Sequence, residues 1–323
     1  MAALVTIRVA SAQGQKGVMA IGWIYFDYLD RKGIFEGGSK RILDIGAQNI
    51  FDIPVEAGMH FLRRYGSALD DVALRARMED ISRRATWPPK KAGVFLNEFL
   101  EGTSLDYLGL DIFPGPNVQL FDLNFHQLAD AQQEAFDVVF NFGTTEHVFN
   151  QYNCFKALHE AAKPGAFIFH QVPCTGYMDH GYWIYSPRLF TDLAEANDYE
   201  VVEMWGTGPQ GDFNLLERIT YAQGARDASL PGNLVTLWET TGIVNGLINV
   251  LLRKRQSQPF RLGLDITTSA GGPEASIIEQ YYAPQPGRNS KVTRDKLLRL
   301  FTAKQIAAEF LFRVKRKLGL AKK

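Results

Sequence analysis

The clearest pattern in the chain is a series of short apolar runs that end in an acid or an amide and alternate with helical spacings. These runs cover residues 41–45, 105–111, 118–121 and 136–142. Continuous apolar character is typical of parallel strands that are covered on both faces of a sheet. Strands that alternate with helices predict an α/β fold with a doubly wound, mostly parallel sheet.

Helical periodicity accounts for several of the intervals between strands. Residues 19–29 predict a helix with Trp23, Phe26 and Tyr25 turned inward. Ser186 followed by Pro187 indicates a helix start, because serine caps the first turn and proline suits the first helical position. Another helix begins at Gln151, and its predicted inner face comprises Tyr152, Phe155, Leu158 and Ala162, with Lys163, Pro164 and Gly165 ending it.

Further strands are predicted at residues 166–169, 201–205 and 247–253, the last of the series. The interval after the first strand is unusually long. Asp44 and Asp111 are 67 residues apart, whereas a strand-helix-strand unit needs only about 30 residues in all. We therefore predict a helical insertion at residues 52–100, with an exposed turn at 83–91.

Composition and charge define the domains and exclude some functions. The chain has 323 residues with 46% hydrophobic and 22% charged residues, which is typical of a globular protein. Eleven Lys and Arg against two acids make residues 291–323 strongly basic, so residues 1–290 are acidic because the net charge is zero. The predicted division is an N-terminal helical segment (1–40), a main α/β domain (41–255), and a linker with a basic helical tail (256–323).

The acidic body argues against nucleic-acid binding by the main α/β domain. Cys154 and Cys174 form no disulfide pattern, and a cytoplasmic location is expected. The tail from Thr302 predicts a cationic amphipathic helix. Three interpretations stay open for this tail: docking on the chain itself or on a second copy as a homodimer, peripheral membrane contact, or a solvated end.

The polar residues at the strand ends resemble the class I S-adenosylmethionine-dependent methyltransferases of small molecules. The resemblance covers residues 41–253 and depends on five motifs in order. These are 44–49 after the first strand, 109–111, 121–123, 136–148, and the turn 162–166. It implies a Rossmann-like sheet of seven strands whose last strand runs antiparallel, and S-adenosyl-L-methionine as the cofactor.

The resemblance also implies a role for individual residues. Asp44 would take the ammonium group, Gly46 would let the backbone approach the ligand, and Asp111 would accept both ribose hydroxyls. Asp122 with the Leu123 backbone would suit the adenine edge. The cofactor residues predicted in this way are Asp44, Gly46, Ala47, Gln48, Asn49, Asp111, Ile112, Asp122, Leu123, Asn141, Phe142 and Gly143, with Asn141 and Phe142 beside the methionine portion.

One departure from the family pattern keeps alternatives open. Gln48 stands where the common motif has a second glycine, which favours a cofactor held less closely or by side-chain amides, or a non-catalytic relative. A nicotinamide or other nucleotide-binding enzyme is the competing hypothesis. It predicts G-x-G-x-x-G after the first strand with an acid about 20 residues later, and neither feature is present.

Histidines and acids near the fourth and fifth strands suggest the acceptor side. Glu146, His147 and His180 are the predicted catalytic residues, with one histidine as general base for a hydroxyl acceptor; His170 and Asp179 are further candidates. The alternative for Glu146 and His147 is a structural role, as an acid at a helix N-terminus and a packed histidine. The alternative for the loop that contains His180 is that its aromatic residues cover the edge of the sheet. No metal site is predicted, because the histidines and carboxylates lack a recognised ligand spacing. By elimination, the acceptor is a small molecule such as a sugar, a lipid-linked intermediate or a secondary metabolite.

Overall fold

The computed structural model describes residues 20–86, 93–177, 179–207 and 246–263. Its elements, in chain order, are β1 (Ala20–Gly22), α1 (Trp23–Arg31), β2 (Lys40–Ile45), β3 (Asn49–Phe51), α2 (Val55–Arg64), α3 (Asp71–Arg84), β4 (Val94–Phe95), α4 (Leu96–Leu100), β5 (Leu105–Asp111), β6 (Val118–Leu120), β7 (Phe136–Phe142), α5 (Gln151–Ala161), β8 (Ala162–Thr175), α6 (Pro187–Ala196), β9 (Tyr199–Thr207) and β10 (Gly246–Lys254). Two short 3₁₀ turns, Asp130–Gln132 and Thr145–His147, flank β7.

The main sheet has seven strands in the order β6-β5-β2-β7-β8-β10-β9. The pairings among β6, β5, β2, β7 and β8 are parallel, whereas β10 runs antiparallel to both β8 and β9. The predicted α/β fold, with a mostly parallel Rossmann-like sheet of seven strands whose last strand is antiparallel, is confirmed. Parallel strands bring their carboxyl ends to one edge, so the polar residues after β2, β5 and β7 lie on the same side.

Two hydrophobic clusters cover the two faces of this sheet. Successive side chains of a strand point to opposite faces, and Ile42 and Leu43 accordingly belong to different clusters. Val138 and Val139 on the neighbouring strand divide in the same way. Burial on both faces explains why β2 and β7 read as continuous apolar runs in the sequence.

The interval between β2 and β5 contains α2, α3 and α4 and the short strands β3 and β4, which join β1 in a second, three-stranded sheet in the order β1-β3-β4. The sequence pattern did not predict β3 or β4. Phe26 of α1 packs against Phe61 of α2 with ring centroids 5.1 Å apart, and Phe61 packs against Phe99 at 5.5 Å. Trp23, Tyr25 and Phe26 are buried as predicted. Helix α1 therefore shares a core with the main sheet.

The end of α5 differs from the prediction. The helix stops at Ala161 and β8 begins at once at Ala162, so residues 163–165 belong to the strand and do not follow a helix into a turn. Phe155 and Leu158 are buried, but Tyr152 is exposed and packs its ring on Phe260 at 5.7 Å. The three-residue spacing of Tyr152 from Phe155 placed it on the inner face, but it lies at the border.

Residues after β10 continue to contact the domain beyond the predicted boundary at 255. The backbone oxygen of Gln258 lies 2.6 Å from His159 Nε2, and the Arg261 amide donates to Asn197 Oδ1 at 2.8 Å.

Several predicted features lie outside the described residues: the basic tail, the turn residues 87–91, the segment 208–245 and the first 19 residues. None of the helices in the described part of the chain has the length and hydropathy that crossing a bilayer requires.

Candidate active site

The loop after β2 connects to its neighbouring strand through backbone contacts at the carboxyl edge of the sheet. Gly46 has a φ of +84°, a conformation that residues with a Cβ rarely adopt, and its amide donates to the Leu110 oxygen at 2.7 Å. The Ala47 amide donates to Asp111 Oδ2 at 2.9 Å. A Cβ on Gly109 would come within 3.1 Å of the Ala47 Cβ, so a side chain there would require Ala47 to shift by a few tenths of an ångström.

Asp44 is fully buried beneath this loop. Its Oδ2 accepts hydrogen bonds from the Gln48 amide at 3.1 Å and from the Tyr107 hydroxyl at 2.7 Å. Burial raises the pKa of the Asp44 carboxyl to about 8, against the lowering effect of these two donors. Its second oxygen, Oδ1, has no hydrogen-bond partner. A buried carboxyl group with one oxygen left without a partner favours a ligand that brings a positive charge.

Gln48 is also buried and uses only part of its amide within the protein. Its Nε2 donates to the Gly46 oxygen at 2.8 Å and to Thr144 Oγ1 at 3.4 Å, whereas its Oε1 has no partner. The loop after β2, residues 46–48, is named here the cofactor loop. Strand β2 and this loop thus contain two buried acceptor atoms without donors, one on Asp44 and one on Gln48. An ammonium group carries three donors and a positive charge, so these residues fit the amino-acid end of S-adenosylmethionine.

Asp111 lies at the end of β5 and is partly exposed. Its Oδ2 accepts from Ala47, as described, and its Oδ1 accepts from the Phe113 amide at 2.9 Å. Each carboxylate oxygen can accept two hydrogen bonds, so capacity for ribose hydroxyls remains. Ile112 follows with an exposed side chain.

Asp122 and Leu123 lie after β6, where adenine was expected. Asp122 Oδ1 accepts from the backbone amide and the side-chain amide of Asn124 at 2.8 and 3.0 Å. The Leu123 oxygen accepts from Asn153 Nδ2 at 2.8 Å. These contacts fix the turn, and Asp122 Oδ2 is the oxygen that this network leaves for a ligand.

Four predicted residues offer the ligand little besides backbone. The Asn141 side chain is buried and donates to Thr145 Oγ1 at 3.0 Å, while Phe142 lies in the core against Phe169. Asn49 pairs within the small sheet through its backbone. Gly143, with a φ of +71°, connects β7 to the following 3₁₀ turn and lacks a side chain.

The acceptor-side residues come together beyond β7. Glu146, His147 and His180, named here the Glu-His-His cluster, place one ligand atom each within 4.8 Å of one another. Glu146 Oε1 lies 4.0 Å from His147 Nε2 and 3.8 Å from His180 Nε2. The imidazole rings of the two histidines meet edge to face at 4.7 Å.

The pKa values of the two histidines are shifted in opposite directions. The interaction with the Glu146 carboxylate raises the pKa of His180 despite partial burial, whereas burial lowers the pKa of His147. His170 lies elsewhere, in the core against Phe155 and Phe190, and burial lowers its pKa to about 3. His170 is therefore a structural residue.

Sequence reasoning missed two features of the site. Tyr107 donates a hydrogen bond to Asp44. The sequence pattern could have predicted this contact, because Tyr107 lies two positions before Gly109 and therefore on the same face of β5. The convergence of the Glu-His-His cluster, whose three groups could hold a metal ion, had no such signal. Glu146 and His180 are 34 residues apart, a spacing that no ligand motif covers.

Comparison with known proteins gives a family match for part of the chain. Residues 91–208 match the family model described as "Methyltransferase domain". No curated protein sequence matches the chain.

Three solved structures illustrate the similarities. A S-adenosylmethionine-dependent methyltransferase from Archaeoglobus fulgidus is 12% identical with a TM-score of 0.36, covering 72% of this chain and 94% of its own. Haemonchus contortus phosphoethanolamine N-methyltransferase 2 is 14% identical with a TM-score of 0.36, covering 73% and 53%. Burkholderia thailandensis 1,6-didemethyltoxoflavin-N1-methyltransferase is 10% identical with a TM-score of 0.34, covering 71% and 75%.

These structural similarities are too low to support the assignment, which depends on the family model and on the site. The family match includes β5, β7 and the Glu-His-His cluster, and it agrees with the motifs at the strand ends. The match supports the predicted methyltransferase: residues 91–208 of the chain correspond to a methyltransferase domain.

Proposed function

We propose that the chain transfers the methyl group of S-adenosylmethionine to a hydroxyl oxygen of a small-molecule acceptor. In this reaction a carbon-oxygen bond forms as the carbon-sulfur bond breaks, the hydroxyl loses its proton, and S-adenosylhomocysteine leaves. The observation that carries the proposal is the position of the Glu-His-His cluster. Its Glu146 and His147 lie directly after β7, on the turn whose Thr144 contacts Gln48 of the cofactor loop, and its His180 lies on the loop after β8.

Each part of the cofactor, from its amino-acid end to its adenine, is assigned to residues of the site. Asp44 and Gln48 supply two acceptor atoms for the ammonium group, and Gly46 and Gly143 keep the neighbouring backbone free of side chains. Asp111 takes the ribose hydroxyls, and Asp122 with the Leu123 backbone takes the adenine. Ala47, Asn49, Ile112, Asn141 and Phe142 shape the surrounding loops.

The acceptor is placed on the other side of the sulfur, against the cluster. Transfer from a sulfonium depends mainly on in-line positioning and exclusion of water, and a hydroxyl acceptor also needs a group that assists loss of its proton. His147 and His180 are the basic groups at this position. The exposed rings of Phe149 and Tyr182, whose centroids are 6.4 Å apart, flank the cluster and suit an acceptor with an apolar part.

The direct test is transfer of an isotopically labelled methyl group from S-adenosylmethionine to a small-molecule extract, followed by mass spectrometry. A labelled ether in the products supports the proposal and identifies the acceptor. Labelled products in which the methyl group is on nitrogen or carbon would contradict it.

Replacing Asp111 with Ala should weaken binding of S-adenosylhomocysteine by about 1.5–3 kcal/mol, because two hydroxyls lose a charged acceptor. Asp111 also holds the amides of Ala47 and Phe113, so Asp111→Asn is the matched variant that keeps an acceptor for the loop. Calorimetric titration measures both affinities. Wild-type affinity in Asp111→Ala would rule out the ribose assignment.

Binding of S-adenosylhomocysteine should release up to about one proton at pH 6.5. The free protein holds this proton because burial raises the pKa of Asp44 to about 8, and an ammonium group next to the carboxyl would lower that pKa. The same raised pKa makes the free folded protein lose stability as the pH rises from about 4 to about 8, since the unfolded chain ionises first. Titration in two buffers with different ionisation enthalpies counts the proton, and Asp44→Asn should abolish its release. A binding enthalpy that does not depend on the buffer would contradict the ammonium assignment.

Replacing His147 or His180 with Ala should lower turnover by about 10²- to 10⁴-fold, the usual cost of losing assistance to proton transfer. Affinity for S-adenosylhomocysteine should stay at the wild-type value in both variants. His60→Ala, an exposed histidine on α2, is the control that should keep full turnover. Full turnover in both site variants would show that positioning alone drives the reaction.

A further inference from the structure

The Glu-His-His cluster has the composition of a metal site as well as that of a catalytic pair. It combines one carboxylate and two imidazoles, and its ligand atoms lie within 4.8 Å of one another. Zinc and other first-row divalent ions bind such nitrogen and oxygen donors at about 2.0–2.2 Å. The donors would therefore have to close on an ion by rotation of their side chains.

The exposure of the two histidines allows the donors to close on an ion. The Glu146 side chain is 1% exposed, whereas those of His147 and His180 are 38% and 42% exposed. The imidazoles can therefore rotate towards a fixed carboxylate, and solvent or a ligand can reach the same point. A site with one buried anchor and two accessible ligands leaves positions open for exchangeable ligands.

The buried carboxylate of Glu146 is incompletely paired. Its Oε2 is buried and has no hydrogen-bond partner. Among the described residues, the basic groups in ion-pair range of Glu146 are the two histidines alone, at 3.8 and 4.0 Å. An ionised carboxylate in a buried position is costly unless it is paired or coordinates a metal.

The backbone holds the two halves of the cluster together. The Glu146 oxygen accepts from the Tyr182 amide at 2.8 Å and from the Trp183 amide at 3.2 Å. The Trp183 indole donates to the Val148 oxygen at 2.9 Å. A Cβ on Gly181 would come within 2.9 Å of the Glu146 oxygen, so only glycine allows the loop this close. The loop that carries His180 is thus fastened to the turn that carries Glu146 and His147 before any ligand binds.

We propose that Glu146, His147 and His180 bind one divalent first-row transition-metal ion, of which Zn²⁺ and Co²⁺ are examples. Two imidazole ligands favour these ions over Mg²⁺, which prefers oxygen ligands. The open positions take the hydroxyl oxygen of the acceptor, a step that rests on the proposed function. With the ion bound, the histidines act as ligands and no longer as the base: coordination lowers the pKa of the hydroxyl, and its proton leaves to water.

The test is calorimetric titration of the full chain, produced without a histidine tag, with Zn²⁺, Co²⁺ and Mg²⁺. We expect one Zn²⁺ or Co²⁺ per chain and much weaker binding of Mg²⁺. His180→Ala and Glu146→Gln should weaken Zn²⁺ binding by at least about tenfold, as loss of a ligand or of its support does. His60→Ala should bind like the wild type.

Absence of one-to-one Zn²⁺ and Co²⁺ binding in the wild type would overturn the proposal. Wild-type affinity in both site variants, or an equal loss in His60→Ala, would also overturn it. Binding of S-adenosylhomocysteine, measured on the same samples, shows that each variant is folded. It also separates the two proposals: a chain that binds S-adenosylhomocysteine but no Zn²⁺ contradicts only the metal site, and the reverse contradicts only the methyltransferase assignment.

Discussion

The buried carboxyl of Asp44 is the constraint on which the cofactor side of the molecule depends. It lies at the end of a strand that is covered on both faces, and within the described part of the chain its donors are Tyr107 and the Gln48 amide. These two hydrogen bonds close the loop after β2 over the carboxyl and bring the Ala47 amide to Asp111. The acceptor atom that remains without a donor suits a cationic group, which is the reason for the proposed ammonium site. One buried carboxyl group thereby links the conformation of the loop to the proposed position of the cofactor's amino end.

The cofactor side and the acceptor side are coupled through short polar contacts. Gln48 of the cofactor loop reaches Thr144, and the Asn141 oxygen accepts from the Thr145 amide at 3.2 Å. Thr144 and Thr145 precede Glu146, so the loop that would bind the ammonium group and the turn that would face the methyl group share one network. This coupling explains how a side chain as buried as Asn141 can matter to the site without touching a ligand.

The sequence predicted most of what depends on strand pattern. Asp44, Asp111 and Asp122 follow apolar runs, and parallel strands bring such ends to one edge. The small sheet β1-β3-β4 could not be predicted, because strands of two or three residues have no measurable periodicity. The contact of His180 with Glu146 was equally hidden, since it depends on the backbone bonds of Tyr182 and Trp183.

A crystal structure of the chain with S-adenosylhomocysteine is the most direct test of the central claim, which is that the cofactor bridges Asp44 and the Glu-His-His cluster. We expect the amino group within hydrogen-bond distance of Asp44 Oδ1, the ribose hydroxyls on Asp111, and the sulfur facing Glu146 and His180. A ligand that lies away from the carboxyl ends of β2 and β5, or whose sulfur faces away from the cluster, would contradict the account.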